Sequence, residues 1–252
     1  MKVREVGFAV GVATLLMFAS LLVLILYPKL PARHRDDETN TVVRLVANIF
    51  VVVASLAFGL IMNSSKNTFE NVDANVHTFA TKLIILDLGL RSYGIEGEHA
   101  RSALRTYVEG AIEQQRHISV SGPGSAAAQT KLQGLGQALY GLEILDTFHR
   151  DLAGSLQDQY AKIVEQRWSI VESAEGVIPI PVLIILVAWL SLIFASYGYR
   201  APRNGVVVTI FVSASVLIGA SVFVVLDMDM PFRGLIQVSD EPLRRTLAEI
   251  SR

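Results

Sequence analysis

Residues 42–93 read VVRLVANIFVVVASLAFGLIMNSSKNTFENVDANVHTFATKLIILDLGLRSY. The first part of this stretch is apolar and contains a single charged residue, Arg44. In the second part the apolar residues recur at steps of three and four, which is typical of a helix with one packed face; they are Phe69, Val72, Val76, Phe79, Leu83, Leu86, Leu90 and Tyr93. Since neither Pro nor Gly interrupts residues 61–88, we predict one unbroken helix that leaves a membrane and continues over 63–93 as a rod of about 45 Å.

The rest of the chain supports a membrane location, because it contains three further apolar runs of similar length. The four runs, each about 20 residues and so long enough to cross a bilayer, are Val6–Tyr27, Val42–Met62, Val177–Tyr197 and Val206–Leu226. Hydrophobic residues make up 52% of the chain and the mean hydropathy is +0.45. We therefore predict a multi-pass membrane protein whose main partner is the lipid bilayer.

The polar insert between the second and third runs is predicted to be helical throughout. Gly94–Gly97 indicates a reversal, a shorter amphipathic helix follows, and Ser121–Ser125 breaks it. A further helix is predicted from Ala126 towards Ala174, with a bend near Gly154. The predicted fold class is therefore all-α, with four transmembrane helices and an extramembrane helical bundle inserted between spans two and three.

This pattern predicts four segments along the chain. Residues 1–62 hold the first two spans, 63–176 the helical bundle, 177–228 the last two spans, and 229–252 a short tail with an amphipathic helix. The first two spans are joined by one short loop and the last two by another. Each pair therefore crosses the membrane twice, which places both termini and the insert on the same side.

Composition argues against several functional classes. The insert holds 10 Lys and Arg against 14 Asp and Glu, a balance of −4, so nucleic acid is not an expected partner. The chain has no cysteine, and it contains no phosphate-binding loop, nucleophile elbow or zinc signature. We therefore expect neither an enzyme nor a cofactor. The pairs Asp73/His77, Glu113/His117 and Asp146/His149 are interpreted as solvated helix pairs, and no metal site is predicted.

Two polar residues inside the second run are candidates for a polar passage. Asn48 and Ser55 are seven residues apart and share one helix face, where they would line a pore or hydrogen-bond to a neighbouring helix. Gly7/Gly11 in the first run and Ser215/Gly219 in the fourth are small-residue pairs that allow close helix packing, within or between subunits.

Two aspartates follow the fourth run, at the negative end of its helix dipole. Asp227 and Asp229 are interpreted as an acidic motif at the membrane exit, with two alternatives. They form either an acidic ring or cation site at a pore mouth, or a turn that ends the span before Pro231 with Arg233 as counter-charge.

The sidedness of the insert is weakly encoded by the basic residues near the membrane. The short loops hold Lys29, Arg33, Arg35, Arg44, Arg200 and Arg203, whereas the opposite side holds Lys2, Arg4, Lys66 and Arg233. This count slightly favours cytoplasmic loops and an external bundle.

Several stretches distributed over the whole chain resemble the bestrophin-like membrane proteins of bacteria, whose domain has no assigned function. The stretches are SYGYRAPRN at 196–204, LDMDMPFRGLI at 226–236 followed by Pro242-Leu243-Arg244, NSSK at 63–66, Leu86-Asp87-x-x-Leu90-Arg91-x-Tyr93-Gly94, and Leu104-Arg105-x-Tyr107.

The resemblance implies a function that the residues alone do not. Bestrophins are pentameric anion channels with cytoplasmic helical regions, so the resemblance implies a homo-oligomer in the inner membrane with a cytoplasmic insert, against the charge count. It also implies a passage for small inorganic ions, with anions favoured, lined by the second span. The alternative is a non-conducting scaffold or sensor, in which the helical seam packs within the insert or against a partner.

Overall fold

The structure, a computed structural model, describes residues 2–31, 36–121, 126–174, 176 and 178–252, with side chains except at 2–5, 114–121 and 126. These residues form helices and no strand, as the sequence predicts. The helices are α1 (Lys2–Leu26), α2 (Asp37–Tyr93), α3 (Glu98–Ser121), α4 (Ala126–Tyr140), α5 (Thr147–Ser173), α6 (Ile180–Gly198), α7 (Gly205–Met228) and α8 (Glu241–Ile250).

Helix α2 confirms the prediction of a span that continues as a rod. It is one α-helix of 57 residues that ends at Tyr93, which corresponds to a length of about 85 Å. Gly94 ends it with a positive φ of 84°, a conformation that glycine adopts without strain. A Cβ at Gly97 would lie 2.6 Å from the carbonyl oxygen of Leu90, so the reversal after α2 requires glycine at both positions.

The chain divides into two compact units. The first, Met1–Asn67 with Val177–Asp229, contains the membrane part, and four helices are long and apolar enough to cross a bilayer. Within this unit α1 packs closely against both α6 and α7. The contact is an apolar core that includes Leu16, Phe194 and Val222, all less than a tenth exposed.

The second unit, Thr68–Gly176 with Met230–Arg252, is a helical bundle. Seven of the eight seam residues of α2 are buried, and Phe69 is partly buried. From Phe79 onward they pack against core residues of α3, α4, α5 and α8. The earlier seam residues pack against Val238, with Ile170 and Phe232 beside them. The spacing of three and four in the sequence therefore marks the side of α2 that the bundle covers.

The structure corrects the predicted helix from Ala126 towards Ala174. This segment is two helices, because α4 ends at Tyr140 and α5 begins at Thr147, and α5 continues through Gly154. The start of α5 is fixed by Asp146, whose carboxylate accepts a hydrogen bond of 2.8 Å from the His149 backbone N–H. The prediction was wrong here because apolar residues continue at helical spacing across the break. The predicted break at Ser121–Ser125 falls largely at 122–125, outside the described residues.

We expect Asp146→Ala to lower the unfolding temperature of the bundle at neutral pH, because α5 loses its N-terminal cap. Hydrogen bonds from the His149 backbone and side chain lower the pKa of Asp146. A carboxylate with a lowered pKa stabilises the fold above its ordinary pKa of 3.8, and this contribution is lost as the pH falls through the lowered value. The difference in unfolding temperature between the native protein and the variant should therefore shrink below pH 3.8. A difference that is independent of pH would contradict this account.

Candidate functional site

The two polar residues predicted to line a passage lie on the exposed side of α2 in the membrane unit. Asn48 and Ser55 are both exposed, and the Ser55 hydroxyl donates a 2.7 Å hydrogen bond to the carbonyl oxygen of Val51. At 100° per residue, Asn48, Val52, Ser55 and Gly59 share one face, and all four are exposed. We call Asn48, Val52, Ser55 and Gly59 the polar row.

A second, apolar row lies beside the polar row on α2. It consists of Leu45, Ile49, Leu56 and Leu60, which are 58%, 64%, 65% and 71% exposed. Large apolar side chains with this exposure are covered by lipid or by another protein chain. The chain's own packing therefore leaves about half of the circumference of α2 available in the membrane.

The acidic membrane-exit motif is placed inside the membrane unit. Asp227 and Asp229 are 1% and 6% exposed. Asp229 accepts a hydrogen bond of 3.4 Å from the Ile178 backbone N–H, just before α6 begins. The carboxylate therefore links the end of α7 to the start of α6. In the single chain both carboxylates are therefore shielded from solvent.

The small-residue pairs have different surroundings. Gly7 and Gly11 are exposed, and a Cβ at either would meet no atom within 4 Å. Ser215 and Gly219 are both buried, and a Cβ at Gly219 would lie 2.8 Å from the Ala13 Cβ of α1. The pair on α7 thus packs within the chain, whereas the pair on α1 faces outward.

The stretch 196–204 holds together the loop end of the membrane unit. Gly198 is buried, and a Cβ there would lie 2.3 Å from the carbonyl oxygen of Ser20. Arg200 forms an ion pair with Asp37. The sequence does not mark Gly198 as a packing residue, because its partner is a distant backbone atom and no small-residue spacing includes it.

Three more residues of this stretch fasten neighbouring helix ends. The rings of Tyr199 and Tyr27 meet edge to face with centroids 4.8 Å apart. Arg203 donates hydrogen bonds to the carbonyl oxygens of Leu24 and Ile25 at 3.2 and 2.5 Å, where an α-helix leaves acceptors unsatisfied. The side-chain oxygen of Asn204 accepts a hydrogen bond of 2.8 Å from the Val207 backbone N–H and so caps the N-terminus of α7.

The motif at 86–94 contains a buried ion-pair network in the bundle unit. Asp87 is 1% exposed and binds Arg91 at 2.7 Å and Arg101 at 3.0 Å. Hydrogen bonds to Glu98 and Asp87 raise the pKa of Arg101. The sequence does not mark the pairing of Asp87 with Arg101, because Arg101 lies on another helix.

The same arginines bind the end of the C-terminal helix. Arg91 Nη2 donates a hydrogen bond of 2.7 Å to the carbonyl oxygen of Glu249. Arg101 and Arg105 each donate a hydrogen bond of 3.4 Å to the carbonyl oxygen of Ile250. Cations at a helix C-terminus satisfy its free carbonyls and oppose the negative end of its dipole. The signature residues at 87, 91 and 105 therefore attach α8 to α2 and α3.

The carboxylate and imidazole pairs are local contacts between neighbouring helix positions. His77 and Asp73 are 3.9 Å apart, and His149 Nδ1 and Asp146 are 2.7 Å apart. The side chain of His117 lies outside the described part. Among the described side chains, no three His, Asp or Glu residues are grouped to hold a metal ion.

Comparison with known proteins identifies relatives over nearly the whole chain. The family model of the Bestrophin-like domain matches residues 14–243. No curated protein matches the chain significantly.

Solved structures share the fold at low sequence identity. Two crystal structures of a bacterial bestrophin homologue from Klebsiella pneumoniae, each with one substitution, have TM-scores of 0.65 and 0.62 with 11% and 13% identity, covering 96% of this chain and 97% of theirs. A crystal structure described as a membrane protein has a TM-score of 0.55 and 13% identity, covering 97% of this chain and 99% of that one.

Proposed function

Because this chain belongs to the bestrophin-like family, we propose that it is the subunit of a homo-oligomeric membrane channel for small ions, anions among them. Helix α2 lines the passage in this proposal, with Asn48 and Ser55 of the polar row facing it. Several copies around an axis supply the wall, since one helix cannot enclose a path.

The observation that carries the proposal is the free face of α2 in the membrane. The polar row is exposed. It presents the Asn48 amide at a depth where polar groups are costly, together with the Ser55 hydroxyl, which donates to the Val51 carbonyl oxygen. The apolar row beside it, with Leu56 65% exposed, suits contact with a neighbouring subunit or a hydrophobic constriction. In this proposal Asp227 and Asp229 shape the exit, and Asp229 does so by linking the end of α7 to the start of α6.

We expect purified protein in liposomes to pass small ions, and Asn48→Leu to reduce this flux at least severalfold by removing a polar group from the passage. Leu56→Ser should increase the flux, because a hydroxyl wets an apolar constriction. A fluorescent dye trapped in the liposomes measures chloride or potassium entry.

Ile184→Ser serves as the control for these variants. Ile184 is 59% exposed on α6, so the change also adds a hydroxyl to an exposed apolar site, but away from α2. Its flux should equal that of the native protein. Absence of flux from the native protein, or equal flux from the native protein and both α2 variants, would reject the proposal.

A non-conducting scaffold or sensor is the second candidate, favoured by the apolar row. Leu45, Ile49, Leu56 and Leu60 are all more than half exposed, and their close packing around an axis would seal the membrane part. In this case the bundle unit carries the function through a partner. The native protein and Leu56→Ser would then both be impermeable while forming the same oligomer.

We further propose that the chain lies in the inner membrane with the bundle unit in the cytoplasm, which follows from the resemblance to bestrophins. The chain contains no cysteine, so single cysteines report sidedness directly. Ser102 and Lys29 are both exposed, one in the bundle and one in a short loop. In right-side-out vesicles a membrane-impermeant thiol reagent should label Lys29→Cys and not Ser102→Cys. The reverse labelling would place the bundle outside.

A further inference from the structure

An apolar groove lies in the membrane unit between α2, α6 and α7. Its volume is about 440 Å³. Buried side chains, among them Ala54, Phe194 and Phe211, form its floor. Tyr197 and Ile210 are 47% and 58% exposed and form the rim at one end. A groove of this kind in a membrane-spanning unit must be covered by an apolar group, since its walls offer almost no polar partner for water.

The length of the groove indicates what covers it. Along α7 its lining extends from Ile210 to Ser221, a rise of about 16 Å. The hydrocarbon core of a bilayer is about 30 Å thick, so the groove is about as long as one leaflet is deep, and its lining on α7 begins in the second turn from the loop side. An acyl chain has this reach, whereas a transmembrane helix of a second copy would need a contact surface through both leaflets.

A free positive charge continues the line of the groove on α2. Arg44 precedes the lining residues Val51 and Phe58 by seven and fourteen residues, so all three lie on one face of the helix. Arg44 is exposed, and it takes part in none of the ion pairs among the described residues. By contrast, Arg200 and Arg203 at this end are engaged by protein acceptors.

Arg44 and Tyr197 lie at the same end of the membrane unit. Tyr197 precedes the end of α6 by one residue, Ile210 is in the second turn of α7, and Arg44 is in the second turn of α2. The loops on this side join α1 to α2 and α6 to α7. A tyrosine and an arginine at the membrane edge suit a phosphate headgroup.

We propose that this groove binds one acyl chain of an anionic phospholipid from the leaflet on the loop side, with Arg44 holding the headgroup phosphate and Tyr197 beside it. The buried floor provides the apolar contact, and the guanidinium provides the preference for negative charge. The proposal does not rest on ion conduction, although Ser55 borders both this groove and the proposed passage.

The test uses native mass spectrometry of the detergent-purified oligomer, titrated with phosphatidylglycerol or with phosphatidylcholine of the same acyl chains. We expect the native protein to retain about one phosphatidylglycerol per subunit and to prefer it over phosphatidylcholine by about fivefold, the value of one favourable charge at a membrane surface. Arg44→Gln should remove the preference while leaving some binding of both lipids. Ala214→Phe, which fills the groove, should lower the affinity for both lipids by at least about fivefold.

Matched controls separate the groove from the general lipid contact of the protein. Lys29→Gln removes another exposed cation on the loop side, and Val216→Phe enlarges an exposed side chain on another face of α7. Both should bind lipid as the native protein does. Arg44 is exposed, so Arg44→Gln is a folded test even if Ala214→Phe fails to assemble.

Two results would overturn the proposal. One is an unchanged preference for phosphatidylglycerol in Arg44→Gln, or an equal loss in Lys29→Gln. The other comes from Ser221→Cys, the sole cysteine of that variant on the exposed rim of the groove. Efficient oxidative cross-linking of this cysteine between copies would show that a second copy covers the groove. Failure to cross-link, together with lipid retention, supports the lipid site.

Discussion

Asp87→Ala is expected to destabilise the bundle unit by about 3–5 kcal/mol, the cost of removing one partner of a buried ion pair. The carboxylate is 1% exposed and binds both Arg91 and Arg101. Without it, Arg101, whose side chain is only 18% exposed, loses its buried counter-charge. Thermal unfolding of the detergent-purified protein, followed by helical circular dichroism, measures the change.

The same substitution should loosen the C-terminal helix. Asp87 positions the two arginines that donate to the carbonyl oxygens of Glu249 and Ile250. Limited proteolysis of Asp87→Ala should therefore cut at or before α8 under conditions in which the native protein is resistant.

Glu98→Gln is the matched control for Asp87→Ala. Glu98 also binds Arg101, at 2.8 Å, but its side chain is 61% exposed. Pairs exposed to this extent contribute about 0–1 kcal/mol, so the control should unfold close to the native protein. A similar loss of stability in both variants would show that Arg101 needs each of its two carboxylate partners equally, and that the burial of Asp87 is not the reason for the loss.

Gly198→Ala is expected to destabilise the membrane unit by about 1–3 kcal/mol, as overpacking of a well-packed contact does. The new Cβ would lie 2.3 Å from the carbonyl oxygen of Ser20. A backbone atom cannot rotate away, so α6 must move from α1 at this contact. The loss is measured as a lower temperature at which the protein aggregates on heating in detergent, by size-exclusion chromatography.

Gly205→Ala tests whether the effect is steric. Gly205 begins α7 near the same loop, and a Cβ there would meet no atom within 4 Å. Alanine is also the better helix former, so this variant should be at least as stable as the native protein. Equal destabilisation of both variants would mean that glycine is needed for backbone freedom in the loop and not for close packing.

The sequence predicted the helices where a periodic pattern and local breakers agree. The seam of α2 is the best example, because its steps of three and four coincide with burial as far as Tyr93 and with Gly94 in a left-handed conformation. The pattern failed between Tyr140 and Thr147, where apolar spacing continues through a break. There the cap at Asp146 competes with helix continuation, and spacing alone does not show which of them prevails.

The sequence predicts that Asn48 and Ser55 share one face of a helix, but not which helices lie beside that face. Asn48 and Ser55 lie on the exposed side of α2, but the groove that Ser55 borders is formed by α6 and α7, more than a hundred residues away. Likewise, the spacing of Ser215 and Gly219 predicts close packing, but it does not show that Gly219 meets Ala13 of α1 and not Gly7 or Gly11.

The sequence by itself determined the membrane location, the helical class and the continuation of the second span, since these depend on local hydrophobicity and on the absence of helix breakers. Only the tertiary structure decided which charges are satisfied and where backbones touch. Asp87 meets Arg101 and Gly198 meets Ser20 because distant segments are brought together. Those contacts depend on how helices pack, which involves residues far apart in the chain and leaves no periodic pattern along it.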